Sequence, residues 1–256
     1  MEVEILLEME VLLLVDIHCH ILPELDDGAS SPDEAIAMAH MAVASGVTAI
    51  VATPHFPGKH SSMERIEPLL DRYDWFRRVI RSLQLPLKLY PGAEILCLPE
   101  TISLAEQKLL PTLGNSSYLL TEFFFDESFH RMDTLLSGLA SCGYTPIVAH
   151  PERYHAIQAD PELLKLWHEK GYGLQLNKGS ILGAFGSDPQ DAAMAALEMR
   201  TVHMIASDAH SARHRTTHMG AIQNWLEDNC TPEFVRLLLE QNPTRVISGK
   251  NLLSAL

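Results

Sequence analysis

His18 and His20 lie one residue apart at the end of an apolar run, in VDIHCHILPELDDG (residues 15–28), and the adjacent carboxylates of Asp26 and Asp27 follow shortly after. Side chains two apart in a strand project to one side, so the two imidazoles face together and Cys19 turns away. The spacing returns near the other end of the chain in Asp208-Ala209-His210. Between these lie His55 after Thr53-Pro54, Glu94 after Pro91-Gly92-Ala93, Glu122 in TEF, and His150 in AHPER. Imidazoles and carboxylates with no thiolate suit Mn²⁺, Fe²⁺ or Zn²⁺ better than a structural thiolate site. The ligand supply exceeds the needs of one ion, and two or three ions with Glu94 as a bridge would use it. Ions about 3.5–4 Å apart stabilise the attacking and leaving oxygens of a phosphoester displacement.

What could bring such residues together is a set of parallel strands. Seven apolar runs (11–17, 47–53, 87–92, 117–123, 146–150, 172–177 and 203–208) are β-branched or leucine-rich and mostly continuous, the pattern of strands buried on both faces. Each ends in a residue able to bind a metal or touch a substrate. Helical patterns lie between the runs, at 63–83, 189–200, 213–228 and 232–241. The first helix is the best marked: Ser31 caps, Pro32 takes the first position, Glu34 completes a capping box, and Gly46 follows the end. Alternation of this kind predicts a parallel barrel or a doubly wound sheet. Convergence of seven functional strand ends favours the barrel, whose active sites form on the C-terminal face of the strands.

The bulk properties agree. The 256 residues are enough for one domain with one sizeable core. The net charge of −14 disfavours a phosphate-gripping nucleic-acid partner. Cys19, Cys97, Cys142 and Cys230 are scattered with no CxxC, which reads as reduced thiols in the cytoplasm. The opening MEVEILLEMEVLLLVD carries glutamates and no basic stretch, and is too short and interrupted to span a bilayer, so no signal peptide or membrane insertion is expected. Residues 1–10 read as an N-terminal extension, with Met9 as an alternative start.

HCHILPELDDG, ATPHF, PGAE, TEF, AHPERY, QLNKGSILGAFG and SDAHSARHRTTHM, in this order and spacing, resemble the polymerase-and-histidinol-phosphatase (PHP) superfamily. Within it they resemble the manganese-dependent bacterial tyrosine phosphatases of capsule and exopolysaccharide loci. The resemblance runs from about Val15 to the C-terminus; HPERY followed by GSILGAFG is its most specific part. It implies a distorted seven-stranded (β/α)7 TIM-like barrel with a trinuclear site. His18, His20, Glu94 and Asp208 would hold one ion, Glu94, Glu122 and His150 a second, and Asp27, His55 and His210 a third. Asp26 would be a turn neighbour. Arg153 and Arg215 would contact the phosphate, and His55 or His210 could assist the leaving group. The implied reaction is attack of metal-activated hydroxide on a protein phosphotyrosine, the substrate being the tyrosine-rich tail of a polysaccharide-export kinase. Two alternatives stay open, a histidinol-phosphate or other small phosphomonoester phosphatase and a catalytically dead binding domain, as does homo-oligomerisation.

Other features compete for attention. Cys230-Thr-Pro-Glu-Phe-Val-Arg236 matches C-x5-R, the signature of cysteine-dependent tyrosine phosphatases. It is rejected because Pro232 lacks an N–H, Glu233 would repel a dianion, and the stretch reads as a capped helix start. His40, His60, His130, His155, His168 and His203 read as structural or solvated. His214 and His218, four apart on an expected helix, could chelate, with a substrate role for His218 as the alternative. Lys178 and Ser180 could line the substrate pocket or merely belong to a tight loop.

Overall fold

The computed structural model describes residues 12–56 and 63–254. Val11, the extension at 1–10 and His60 lie outside them. The strands are β1 (Leu14–Cys19), β2 (Val47–Ala52), β3 (His55–Phe56), β4 (Lys88–Pro91), β5 (Glu94–Leu96), β6 (Tyr118–Glu122), β7 (Thr145–Ala149), β8 (Gly173–Asn177) and β9 (Met204–Ala206). The helices are α1 (Pro32–Ala44), α2 (Met63–Ser82), α3 (Pro99–Glu106), α4 (Phe129–Ser141), α5 (His155–Ala159), α6 (Leu163–Glu169), α7 (Lys178–Ile181), α8 (Ser187–Glu198), α9 (Gly220–Asn229), α10 (Pro232–Arg236) and α11 (Asn242–Ile247).

This is a mixed α/β fold with parallel sheets. One sheet has the order β1-β2-β4, the other β3-β5-β6-β7-β8-β9. Two of the seven expected runs, 47–53 and 87–92, are each followed by a further short strand that joins the other sheet, β3 after β2 and β5 after β4. Pro54 separates β2 from β3 because it has no N–H to give a ladder, and the Gly92-Ala93 step separates β4 from β5. Glu94 therefore opens β5 rather than ending a strand, facing His55 across the β3–β5 pair. The two sheets also meet at their far edges, where Cys19 bridges Ala209. There the His20 N–H donates to the Ala209 carbonyl and the Asp208 N–H to the His18 carbonyl, each at 2.9 Å.

The strands separate two apolar cores. Val15, Ile17, Ala49, Val51, Leu120, Ile147, Ala149, Met204 and Ala206 pack with Leu113 and Val246 in one. Strand residues such as Leu14, Ile50, Leu119, Val148, Leu174 and Ile205 pack in the other, with helical residues such as Met38, Phe76, Leu136, Trp167 and Leu238. Strands buried on both faces explain the continuous apolar runs.

The helix expectations hold in outline, with corrections. The Ser31 hydroxyl accepts from the Glu34 N–H at the start of α1, but the Glu34 carboxylate does not close the box on Ser31. It accepts instead from the Ser30 N–H at 3.0 Å and from the Ala212 N–H at 3.3 Å. The helix expected over 213–228 begins only at Gly220; residues 213–219 are a loop held by long-range bonds, such as Thr217 Oγ1 to the Met38 carbonyl. His214 and His218 therefore do not share a helix face. The helix expected to end at 241 runs on through a wide π-type turn at 237–241 into α11.

Candidate metal centre

The strand ends bring all nine candidate ligands into one cluster, in which ligand atoms fall into overlapping groups lying within 4.8 Å of one another. Those groups are His18, His20 and Asp208; His55, Glu94 and Glu122; and His20, Asp27, His55 and His210. His150 joins through Glu94, its Nε2 at 2.9 Å from Oε1. The other oxygen of Glu94, Oε2, lies 3.2 Å from the Nε2 atoms of both His18 and His20 and 3.3 Å from His55 Nδ1. Glu94 thus spans separate groups, as a bridging carboxylate must. Asp27 Oδ1 stands at the open rim, 3.4 Å from the Nε2 atoms of both His55 and His210. The grouping differs in detail from the one the resemblance implied. Glu122 meets His55, at 2.9 Å, and His20 shares the Asp27 group.

Hydrogen bonds to the far side of each imidazole aim these rings. His18 Nδ1–H donates to Gln175 Oε1 at 2.8 Å, and His20 Nδ1–H donates to Asp26 Oδ2 at 2.7 Å. His210 Nδ1–H points to the Asp208 carbonyl at 3.1 Å. In each case Nε2 is left to face the cluster, the arrangement in which a hydrogen-bonded imidazole binds a cation. Asp26 is therefore more than a turn residue. The same carboxylate accepts from the backbone N–H of His55 and of Gly28, both at 2.9 Å. Gly28 is needed because a Cβ there would lie 2.2 Å from the His20 carbonyl oxygen.

Asp208 divides its oxygens between two tasks. Oδ2 accepts from Asn177 Nδ2 at 2.6 Å, from Arg153 Nη1 at 3.5 Å, and from Arg215. Oδ1 is buried with no hydrogen-bond donor. His18 Nε2 stands 3.4 Å from it and His210 Nδ1 3.5 Å. An anionic oxygen in that position, with imidazole nitrogens around it, fits a cation. Leaving a buried charge uncompensated costs several kcal/mol, so the cluster must hold protons or metal.

The titration behaviour has the same cause. Burial pushes the His18 imidazolium down, but the Glu94 and Asp208 carboxylates outweigh it and lift His18 to about 10. His55, also opposed by burial, is lifted to about 9 by Glu122 and Glu94. His210 falls to about 4 through burial and its neighbour His20. Burial would raise Asp26, but its bond to His20 holds it at about 2. Glu94 and Asp208 are held low by the surrounding imidazoles despite burial.

HPERY acquires a role for every residue. His150 adopts a left-handed φ of 36° at the end of β7. Pro151 opens a short 3-10 turn, and Arg153 reaches Asp208. Glu152 is fully buried and accepts from Ser180 Oγ at 2.6 Å and the Asn177 N–H at 3.0 Å. The Tyr154 hydroxyl donates to the Ala149 carbonyl at 3.0 Å and accepts from the Phe123 N–H at 3.1 Å, tying β7 to β6. Ser180 is thus committed to Glu152. Lys178 is buried too, and its ammonium donates to the Thr216 and His218 carbonyls, bracing the loop that carries Arg215.

Sequence reasoning missed Asp26, Gln175, Asn177 and Glu152 as supporting residues. Gln175 had a visible signal, since an amide in the middle of the buried run YGLQLN needs a specific partner. Among the described residues, the other histidines read as structural or solvated stay away from the cluster. His168 and His203 stack on each other at 4.7 Å, while His40, His130 and His155 are exposed. Around Cys230 the chain enters α10: the Thr231 hydroxyl accepts from the Phe234 N–H and the Thr231 carbonyl from the Val235 N–H. Those N–H groups are committed to a helix, and burial raises the thiol of Cys230 above its ordinary range.

Residues 14–248 match the family described as capsular polysaccharide synthesis, CpsB/CapC. The chain is 34% identical over 229 residues, 89% of each protein, to the tyrosine-protein phosphatase YwqE of Bacillus subtilis (strain 168). It is 29% identical over 240 residues, 91% of this chain and 98% of the other, to the tyrosine-protein phosphatase CpsB of Streptococcus pneumoniae. Its fold superimposes with a TM-score of 0.83 and 30% identity, over 94% of this chain and 97% of the other, on a solved structure from work on YwqE and CpsB as unique metal-dependent tyrosine phosphatases.

Proposed function

The chain belongs to the CpsB/CapC family of capsular polysaccharide synthesis, and from that premise we propose that it is a metal-dependent protein-tyrosine phosphatase. The observation that carries the reading is the clustering of nine metal-type side chains with two arginines turned onto Asp208 Oδ2. The resident ions we propose are Mn²⁺, two or three in number, with Fe or Zn as substitutes. Their ligands would be His18, His20, Asp27, His55, Glu94, Glu122, His150, Asp208 and His210. We read the two sheets and the Cys19–Ala209 bridge as one distorted seven-stranded barrel, and the chain as one phosphatase domain.

When bound, divalent cations lower the pKa of water and neutralise phosphate charge. The chain's own residues do the rest. Arg153 and Arg215 present planar N–H forks that match phosphate oxygens. Lys178 holds the Arg215 loop, and Glu152 holds the turn bearing Arg153. Hydrolysis breaks the bond between phosphorus and the phenolic oxygen and forms a bond from phosphorus to a water oxygen. One proton of that water ends on the phenolate, whose ordinary pKa near 10 makes it a fair leaving group. A ring nitrogen of His55 or His210 left uncommitted by a cation would be placed to assist departure of the phenolate.

The substrate we propose is a phosphotyrosine protein, specifically the tyrosine-rich tail of a bacterial polysaccharide-export kinase. No helix among the described residues is long and apolar enough to cross a membrane. Four free thiols suit a reducing compartment, and we assign the protein to the cytoplasm. The test is phosphate release from a phosphotyrosine peptide and from histidinol phosphate, using chelator-stripped enzyme with and without Mn²⁺. Restored peptide turnover supports the reading. Strong preference for histidinol phosphate would reassign the substrate, and turnover indifferent to metal would overturn the mechanism.

A further inference from the structure

The two arginines beside Asp208 are held in different ways. Arg215 forms a close ion pair with Oδ2. Among the described residues, the Arg153 guanidinium has one polar contact, at 3.5 Å to the same oxygen. What fixes it is aromatic. Its Cζ lies 4.5 Å from the centre of the Phe125 ring and 4.7 Å from that of Phe185. Phe185 also lies under Arg215, at 5.9 Å.

We propose that Phe125 and Phe185 are positioning residues that clamp Arg153 for phosphate, Phe185 serving both arginines at once; this rests on the phosphatase reading above. Ring faces attract a guanidinium through its π-face and leave its in-plane N–H donors uncommitted. An arginine fixed by carboxylates would have to surrender those bonds to bind a phosphate dianion. One fixed by rings need not, and it also keeps less rotamer freedom to lose on binding. The chain has made room for the clamp. A Cβ on Gly179 would lie 2.7 Å from Phe185 Cε2, so a glycine there lets the ring seat. This gives GSILGAFG a purpose beyond a tight loop: Gly179 opens the space and Phe185 fills it. Phe125, by contrast, is 41% exposed, so its ring can be changed without opening the core.

The test measures binding of inorganic phosphate to the full-length, Mn²⁺-loaded protein by calorimetry, alongside kcat and KM for a phosphotyrosine peptide and the metal content. Phe125→Leu and Phe185→Leu should each raise the phosphate Kd and the peptide KM by about three- to tenfold. Metal content should not change and kcat should move far less than KM. Phe125→Tyr should restore binding. In an Arg153→Ala background, Phe125→Leu should add nothing, since its effect passes through the guanidinium. The proposal is overturned if the leucine variants bind phosphate as the parent does. It is also overturned if tyrosine is as poor as leucine, or if the Arg153 and Phe125 effects simply add. Should Phe185→Leu fail to fold or lose metal, the exposed Phe125 variants decide alone. A parent that binds phosphate but hydrolyses no phosphotyrosine peptide would remove the functional reading while leaving the clamp to be judged on phosphate binding. A parent that binds no phosphate would remove both.

Discussion

Two stretches of this chain spell a phosphatase, and only one builds a site. Cys230 to Arg236 carries the letters of a cysteine-dependent enzyme within seven consecutive residues. The strand ends carry theirs as fragments scattered from His18 to Arg215. The compact motif folds into the entry of α10, where its N–H groups cap and start a helix and its thiol is driven by burial towards the neutral form. The scattered one is gathered by parallel strands onto one rim. Burial acts on both regions with opposite results. Around Cys230 it opposes ionisation with little opposing charge beyond Arg200. At the rim it concentrates imidazoles and carboxylates until each fixes the charge of the next. The lesson is that topology, not sequence proximity, decides which polar residues act together.

The most severe way to break the contrast is to empty the rim. Removing cations with a chelator, or replacing His150 by alanine, should abolish turnover. His150→Ala removes the imidazole that meets Glu94 Oε1, at 2.9 Å, and leaves that buried carboxylate oxygen with no hydrogen-bond partner among the described residues. The loss should exceed the roughly hundredfold typical of altering a residue behind a ligand. Residual peptide turnover near that of the parent, measured with metal content in parallel, would show that chemistry happens elsewhere.

The next effect comes from protons. In the cation-free protein His18 titrates at about 10 and His55 at about 9, so both are protonated at pH 7.5. A cation must expel those protons to take their nitrogens. Binding should therefore weaken as pH falls, by about a hundredfold per pH unit near neutrality if on the order of two protons leave together. Calorimetry in buffers of different ionisation enthalpy counts them; zero protons released would contradict the charge state. Stability of the stripped protein should run the other way. The folded pKa of His18 lies above its unfolded value near 6.5, so its contribution is complete below that pH and is lost as pH rises towards 10. Tm of the stripped protein should fall over that window, while that of the loaded protein should not.

Smaller again is Asp26→Asn. It keeps the shape of the turn and weakens the acceptor for His20 Nδ1–H. Loss of such a partner typically costs 10- to 100-fold in metal affinity. A metal titration giving parent-like affinity would return Asp26 to the role of a turn residue.

Asp26 also marks how much could be read in advance. Strand runs, the rise of polar residues at their ends, and the repeated His-x-His and Asp-x-His spacing were legible, because parallel strands impose them locally. The breaks at Pro54 and Gly92 were not read as dividing two strands, although both residues were in view. The spacing over 213–219 predicts a helix, but distant bonds to Met38 and Lys178 override it and leave a loop. Asp26, Asn177 and Glu152 support the site through contacts with residues far away in sequence, which one sequence does not display. The sequence offers no sign that Phe125 and Phe185 bear on Arg153, because both lie near its guanidinium only in the folded chain, at 4.5 and 4.7 Å from Cζ.

The smallest expected effect is the sharpest test of the comparison. Cys230→Ser should leave kcat, KM and metal content unchanged within about twofold, since a half-buried thiol at the entry of α10 lies outside the cluster. A cysteine nucleophile needs a depressed pKa and a cradle of free N–H groups. Cys230 has a raised pKa, and the N–H groups of Phe234 and Val235 are spent on Thr231. Serine is also a milder change than alanine, so folding should survive and any loss of activity would report on chemistry. If Cys230→Ser alone abolished turnover while His150→Ala did not, the consecutive motif would be the working one, and the cation-seeking rim would need a different purpose.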